Sequence, residues 1–371
     1  MPAGRGREID AGLPGYAWVA RIVGAVQERT GAPTRWNGRL YEEADERYAG
    51  AAEADGSLTI SARDVMAPAE YAYTNRELAD EHVRNAVDAA ATVCHEARHL
   101  SSPLPDISRP DAHPTRDAPG IALDEGLVER WTHANFGAVL RAIDMNRVVP
   151  GSAQHMPTDA YPAYTSATHR LITDLAASTG RPPRELEQQL LECDAAQRWN
   201  LIADLAIDEH LSGLMPDSDR EVVRARFANA LRADFGHAQQ VHLSDADDEA
   251  KRRQGTEIGA RTVGSLTRDL EELADQYRES RQSRAIGIEA RGAQTRGTQA
   301  SGSQIIGAAR QDTAAAGRDA APAADTSHLH RAFAGQPPAA GAAVAPAQAP
   351  GTASRRASTA RSSGRDGPHR S

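Results

Sequence analysis

Between Asn75 and Leu100 the apolar residues Val83, Ala86, Val87, Ala90, Val93, Ala97 and Leu100 recur at steps of three and four. That spacing predicts an amphipathic helix buried along one stripe. Asn75 reads as its N-cap, and Ser101-Ser102-Pro103 with Pro105 as its stop. Upstream, Ala17, Val19, Ile22, Val23 and Val26 give residues 15–30 an apolar helical face. Asp55-Gly56 marks a turn into a short alternating strand, Leu58-Thr59-Ile60, and residues 36–41 offer a partner strand around Asn37-Gly38.

Residues 122–131 are again helical in pattern, whereas 132–160 read as loop-rich, with Pro150, Gly151 and Pro157. Further helices are predicted over 161–178, from Pro183, and over 197–211 and 218–235. A last amphipathic helix spans 263–277, with Val263, Leu266, Leu270 and Leu273 on one stripe, placed to pack on the domain or on a partner helix. From about residue 284 Ala, Gly, Gln, Ser and Pro dominate, and too few apolar anchors remain to offset ordering entropy. The expected organisation is a domain over 1–240, a linker with one helix over 241–283, and a disordered tail over 284–371. The fold class is α+β and mainly helical, with a small N-terminal sheet.

Composition adjusts this picture in three places. Aromatics are 4% of the 371 residues, so the core is built from Ala, Leu and Val with few large anchors. The net charge of −9 conceals a basic tail, with 12 Arg against five acidic residues from 281 onward. Those arginines offer contacts to an anionic partner, and no clear nucleic-acid site stands out. Two cysteines are too few for a disulfide framework, and Cys94 reads as a small packing residue. Met1 to Gly15 lacks an apolar signal core and no run approaches 18 apolar residues, so the expectation is a cytoplasmic protein without a membrane span, with leaderless export still open.

The candidate chemistry lies at the end of the first helix, in His95-Glu96-Ala97-Arg98-His99. Residues four apart share a helix face, so both imidazoles can address one point, and two neutral imidazoles suit zinc. Glu96 can reach a metal-bound water as general base. A two-His site needs a third protein ligand, and Glu125 in Leu123-Asp124-Glu125-Gly126-Leu127-Val128-Glu129 is the choice. Gly126 would let this second helix approach the first closely. Glu129, one turn on, could hydrogen-bond a ligand imidazole and fix its tautomer.

The two motifs together resemble the gluzincin branch of zinc metallopeptidases, over about residues 35–180. The resemblance implies a zincin-like fold with a small sheet, an active-site helix and a helical lower lobe, and a peptide or protein substrate. The 25 residues between His99 and Glu125 exceed the gap typical of that branch, which keeps Asp111 and His113 as rival ligands. The metzincin pattern fails, because its glycine and third histidine positions hold Ser102 and Pro105. An oxyanion-stabilising phenol or imidazole is expected, with Tyr164 preferred over Tyr161, His155 and His169. Asp208-Glu209-His210 has the wrong spacing for shared ligation and reads as a solvated face. The alternatives are a toxin-like effector protease with one dedicated target, and a non-enzymatic helical interaction protein whose partner meets helix 263–277 or the tail.

Overall fold

A computed structural model describes residues 5–44 and 49–301, the last seventeen of them by backbone alone. The chain is mainly helical with one four-stranded sheet, an α+β fold. Strand β1 (Arg5–Glu8) leads into α1 (Pro14–Thr30), which Pro14 opens and Gly31 closes in the left-handed conformation. Trp18, Val19, Ile22, Val23, Ala25 and Val26 form its buried face, while Ala17, expected there, is exposed.

Strands β2 (Leu40–Glu43), β3 (Gly50–Ala52) and β4 (Leu58–Ile60) complete the sheet in the order β1-β2-β4-β3. β2 runs parallel to β4 with Leu40 opposite Leu58, and β3 returns antiparallel with Ala51 opposite Thr59. The partner strand therefore begins at Leu40, later than residues 36–41 suggested, because Asn37 and Gly38 form the bend before it.

After a π-helical turn at Ala62–Met66 comes a helix the pattern did not reveal, α2 (Ala67–Thr74). Asn75 ends this helix, its side-chain amide donating to the Tyr71 carbonyl at 2.8 Å. The long helix α3 (Asp80–Leu100) therefore starts at Asp80, not at Asn75. All seven residues of its expected stripe are buried, and Cys94 packs in the same core.

Helix α4 (Ala118–Ala142) is N-capped by Asp117, whose carboxylate accepts from the Gly120 amide at 3.1 Å. It continues well past the expected loop boundary at 132, because Thr132, Phe136, Val139 and Leu140 carry a helical stripe onward. The short α5 (Met145–Val148) precedes α6 (Pro162–Thr179), α7 (Pro183–Glu192), α8 (Arg198–Leu211), α9 (Arg220–Phe235) and α10 (His237–His242).

The last helix, α11 (Asp248–Ser301), begins well before Val263 and takes the first of the two placements expected for helix 263–277, packing on the domain. Ile258, Val263, Leu266, Leu270, Leu273, Ala274 and Tyr277 belong to the same core cluster as α6, α8 and α9, so 241–283 is part of the domain. Close helix contact needs small residues: a Cβ on Gly255 or Gly259 would stand 2.3 or 2.4 Å from the Ala163 or Ala167 carbonyl oxygen of α6. Gly255 and Gly259 are thus a packing device. The helix also covers 284–301, where a structureless tail was expected, and residues 302–371 lie outside the described residues.

Two apolar cores result. One gathers α1, the sheet, α2, α3 and the C-terminal half of α4; the other gathers the N-terminal half of α4 with α6 to α11. Trp131 touches both. The end of α3 meets the start of α4 at the seam, which is where the two sequence motifs fall.

Candidate metal centre

Three ligand atoms converge at that seam. His95 Nε2 lies 3.1 Å from His99 Nε2 and 3.0 Å from Glu125 Oε2, and His99 Nε2 is 3.4 Å from the same oxygen. Ligands held ~2.0–2.1 Å from a tetrahedral ion stand about 3.3 Å apart. The triangle therefore matches one face of such a site, and the group could hold a metal ion. Two imidazoles cannot both donate into a 3.1 Å Nε2–Nε2 contact, whereas one cation can accept both lone pairs.

The outer hydrogen bonds turn those lone pairs inward. His95 Nδ1 donates to Glu129 Oε2 at 2.8 Å, and His99 Nδ1 faces Asp124 Oδ2 at 3.4 Å. Asp124 is in turn held by the Arg198 guanidinium, itself buried. Burial opposes charge on His95, but its hydrogen bonds to Glu125 and Glu129 outweigh it, pushing the metal-free imidazole up to about 9. His99 is raised in the same way, burial being outweighed by Glu125 and Asp124. Burial also opposes charge on Glu125, yet the two imidazoles hold its carboxyl below the ordinary value.

Glu129 does more than hold His95. Its Oε1 accepts from His133 Nε2 at 3.2 Å and from the Ala160 amide at 3.0 Å. Asp159 lies close by, accepting from the Tyr161 amide and the Thr165 hydroxyl. Glu129, His133 and Asp159 form a second group with metal-compatible spacing, but these hydrogen bonds account for its geometry.

Glu96 points toward the sheet. Its Oε2 accepts from the Ala52 amide of β3 at 2.8 Å, and burial pushes the carboxyl above its ordinary value. A Cβ on Gly50 would lie 2.9 Å from Glu96 Cγ and from Thr92 Cγ2, so glycine is what admits the strand this close to the helix. β3, the edge strand of the sheet among the described residues, walls a cavity of about 160 Å³ with Glu96, His99 and Glu125. The cavity thus joins the metal group, a carboxylate of raised pKa and an edge strand.

Gly126 acts on a different neighbour from the one expected. A Cβ there would meet the Tyr164 carbonyl at 2.7 Å and Thr168 Oγ1 at 2.3 Å, so it brings α4 against α6, not α3. That contact buries Tyr164 near Glu125. Burial and the Glu125 charge keep its phenol protonated well above the ordinary range, and its hydroxyl has no hydrogen-bond partner among the described residues. Tyr161 stacks on the His95 ring at 5.5 Å between centroids.

The rival ligands lie elsewhere. His113 Nε2 donates to Asn200, and Asp111 is bound by Arg224 and Gln197. His155 is bound to Asp80 and His169 to Arg130. Asp208 and Glu209 are exposed, as a solvated face requires, whereas His210 is half-buried with its Nε2 enclosed. Sequence reasoning missed Asp124, although it stands inside the second motif, and the amide of Ala52, for which a backbone donor leaves no signal. No protein-family model, curated protein or solved structure matches the chain. No helix among the described residues is long and apolar enough to cross a membrane.

Proposed function

We propose that the chain is a zinc-dependent peptidase of zincin-like type, in which His95, His99 and Glu125 hold the metal and Glu96 is the general base. The observation that carries this reading is the near-equilateral triangle of His95 Nε2, His99 Nε2 and Glu125 Oε2, with Glu96 on the same cavity. Two imidazoles and one carboxylate suit zinc and leave a fourth position open. Bound zinc supplies a water acidified toward neutrality and polarises the substrate carbonyl.

The remaining work falls to the chain's own groups. Glu96 takes the proton of the attacking water and returns it to the leaving nitrogen, a task its raised carboxyl pKa favours. The Ala52 amide holds one Glu96 oxygen in place, which leaves the other for proton transfer. Tyr164, expected to donate to the developing oxyanion, stays protonated but is buried and does not line the cavity, so it would have to turn toward it to donate. β3 is the edge strand beside these groups, and an extended peptide can lie along it, with the Ala52 amide already given to Glu96.

The test is metal content by mass spectrometry of the wild type, His99→Ala and Glu125→Ala, followed by hydrolysis of quenched-fluorescent peptide pools with Glu96→Gln. Expected are one zinc per wild-type chain, its loss from both ligand variants, and a fall of about 10²–10⁴-fold in hydrolysis for Glu96→Gln with zinc retained. A reconstituted wild type without zinc overturns the proposal and leaves a helical interaction protein.

A further inference from the structure

We propose that the cavity beside the metal cluster recognises a carboxylate on the substrate, through Arg35 and Arg116. This rests on the peptidase reading for the nature of the ligand, though not for the charge that attracts it.

Four acids line the cavity, and each is already matched. Glu53 lies 4.0 Å from Arg5 and accepts from Thr59, and Glu96 takes the Ala52 amide. Asp124 is shared by Arg198 and His99, and Glu125 belongs to the metal group. The lining arginines are not matched in the same way. Arg198 has Asp124, but neither Arg35 nor Arg116 has a carboxylate within ion-pair distance among the described residues. Asp117, next to Arg116 in the chain, is taken by Arg232.

Arg35 is fixed in place without being neutralised. Its Nε donates to the Ser102 carbonyl at 3.2 Å and its Nη2 to the His99 carbonyl at 3.1 Å, so the side chain caps the C-terminal end of α3. Those contacts use one edge of the guanidinium. Nη1 has no partner among the described residues, and with the second Nη2 hydrogen it forms an end-on fork able to grip a carboxylate. The group is half-buried on the wall of the cavity. Arg116 stands exposed in the lining of the same cavity, just before α4, where it can steer an anion inward.

A carboxylate here has two sources, an acidic side chain or the C-terminus of the peptide. Binding to zinc-loaded Glu96→Gln chain, measured by calorimetry, separates them. The probes are an alanine hexapeptide with one central glutamate, its glutamine counterpart, and the all-alanine peptide with a free or an amidated C-terminus. The terminally blocked glutamate peptide is expected to bind about tenfold tighter than the glutamine peptide if the side chain is the ligand. The same preference for the free over the amidated terminus identifies the C-terminus instead.

In Arg116→Gln and Arg116→Glu the ratio falls toward one and below one. These exposed substitutions keep the test valid even if Arg35→Gln, which removes a helix cap, fails to fold. Equal affinities for charged and neutral peptides, or no binding of any of them at millimolar concentration, overturn the inference. Because binding is read without turnover, a chain that keeps the preference but hydrolyses nothing would sink the peptidase reading alone. A chain that cleaves peptides with no preference would sink only this one.

Discussion

Glu129 Oε2 lies 2.8 Å from His95 Nδ1, one helical turn beyond the Glu125 oxygen that meets Nε2 of the same ring at 3.0 Å. A single helix face thus grips both nitrogens of one imidazole, the inner through the ligand group and the outer through a carboxylate. Fixing the tautomer this way makes the ring a better ligand. Glu129→Gln is therefore expected to weaken metal affinity by roughly 10–100-fold with the fold retained. Competition against a chelator measures it, and unchanged affinity would remove Glu129 from the site.

The same grip sets a pH dependence. In the metal-free chain His95 rises from its ordinary 6.5 to about 9, because its carboxylate hydrogen bonds outweigh burial. At pH 7 it holds a proton that the metal must displace, so binding releases protons and strengthens as pH rises toward 9. The metal-free chain behaves oppositely: stability from the protonated ring is full below 6.5 and is lost as pH passes 9. Calorimetry in buffers of different ionisation enthalpy reads the released protons. Metal binding with no proton release at pH 7 would contradict this account.

How much of this was legible from sequence follows from how local each feature is. His95, Glu96 and His99 sit on one helix, so spacing alone brings them together. Glu125 needed a second motif, and the structure brings it to the same point. Asn75 was misleading because an asparagine that can cap the start of a helix can also close the end of one, and α2 lay hidden before it. β3 reads Gly-Ala-Ala, with no strand propensity to detect; its pairing with β4 creates it. Only the part of α11 from Val263 to Tyr277 carries an apolar stripe in the sequence, and the need for Gly255 and Gly259 shows only in the approach of α6.

Gly126 tests the seam between α4 and α6. A methyl group there would press on the Tyr164 carbonyl, and backbone yields less readily than a side-chain tip. Gly126→Ala is expected to cost about 1–3 kcal/mol by thermal unfolding and to weaken metal binding, since Glu125 is its neighbour. A neutral result would show that α6 can retreat freely.

Gly50 makes the parallel case for the base. Alanine at this position would displace the Glu96 side chain without touching His95, His99 or Glu125. Gly50→Ala should keep its zinc and lose hydrolysis by on the order of tenfold or more, because a misplaced base is a poor one. Loss of metal instead would mean that the strand supports the ligands themselves.

The last prediction concerns α11, for which the sequence leaves open a place on the domain or on a partner and the structure packs it on the domain. Leu270 is fully buried in the cluster that holds α6, α8 and α9, whereas its neighbour Glu271 is exposed. Deleting buried methyl groups forfeits transfer free energy and leaves a cavity, so Leu270→Ala should cost about 2–5 kcal/mol. Glu271→Ala should stay within about 0.5 kcal/mol. Urea unfolding of the full chain compares the two. Were 241–283 a linker, both substitutions would be equally silent. A large cost at Leu270 alone makes α11 a wall of the C-terminal core, and through α6 it then supports the face of α4 that carries Glu125.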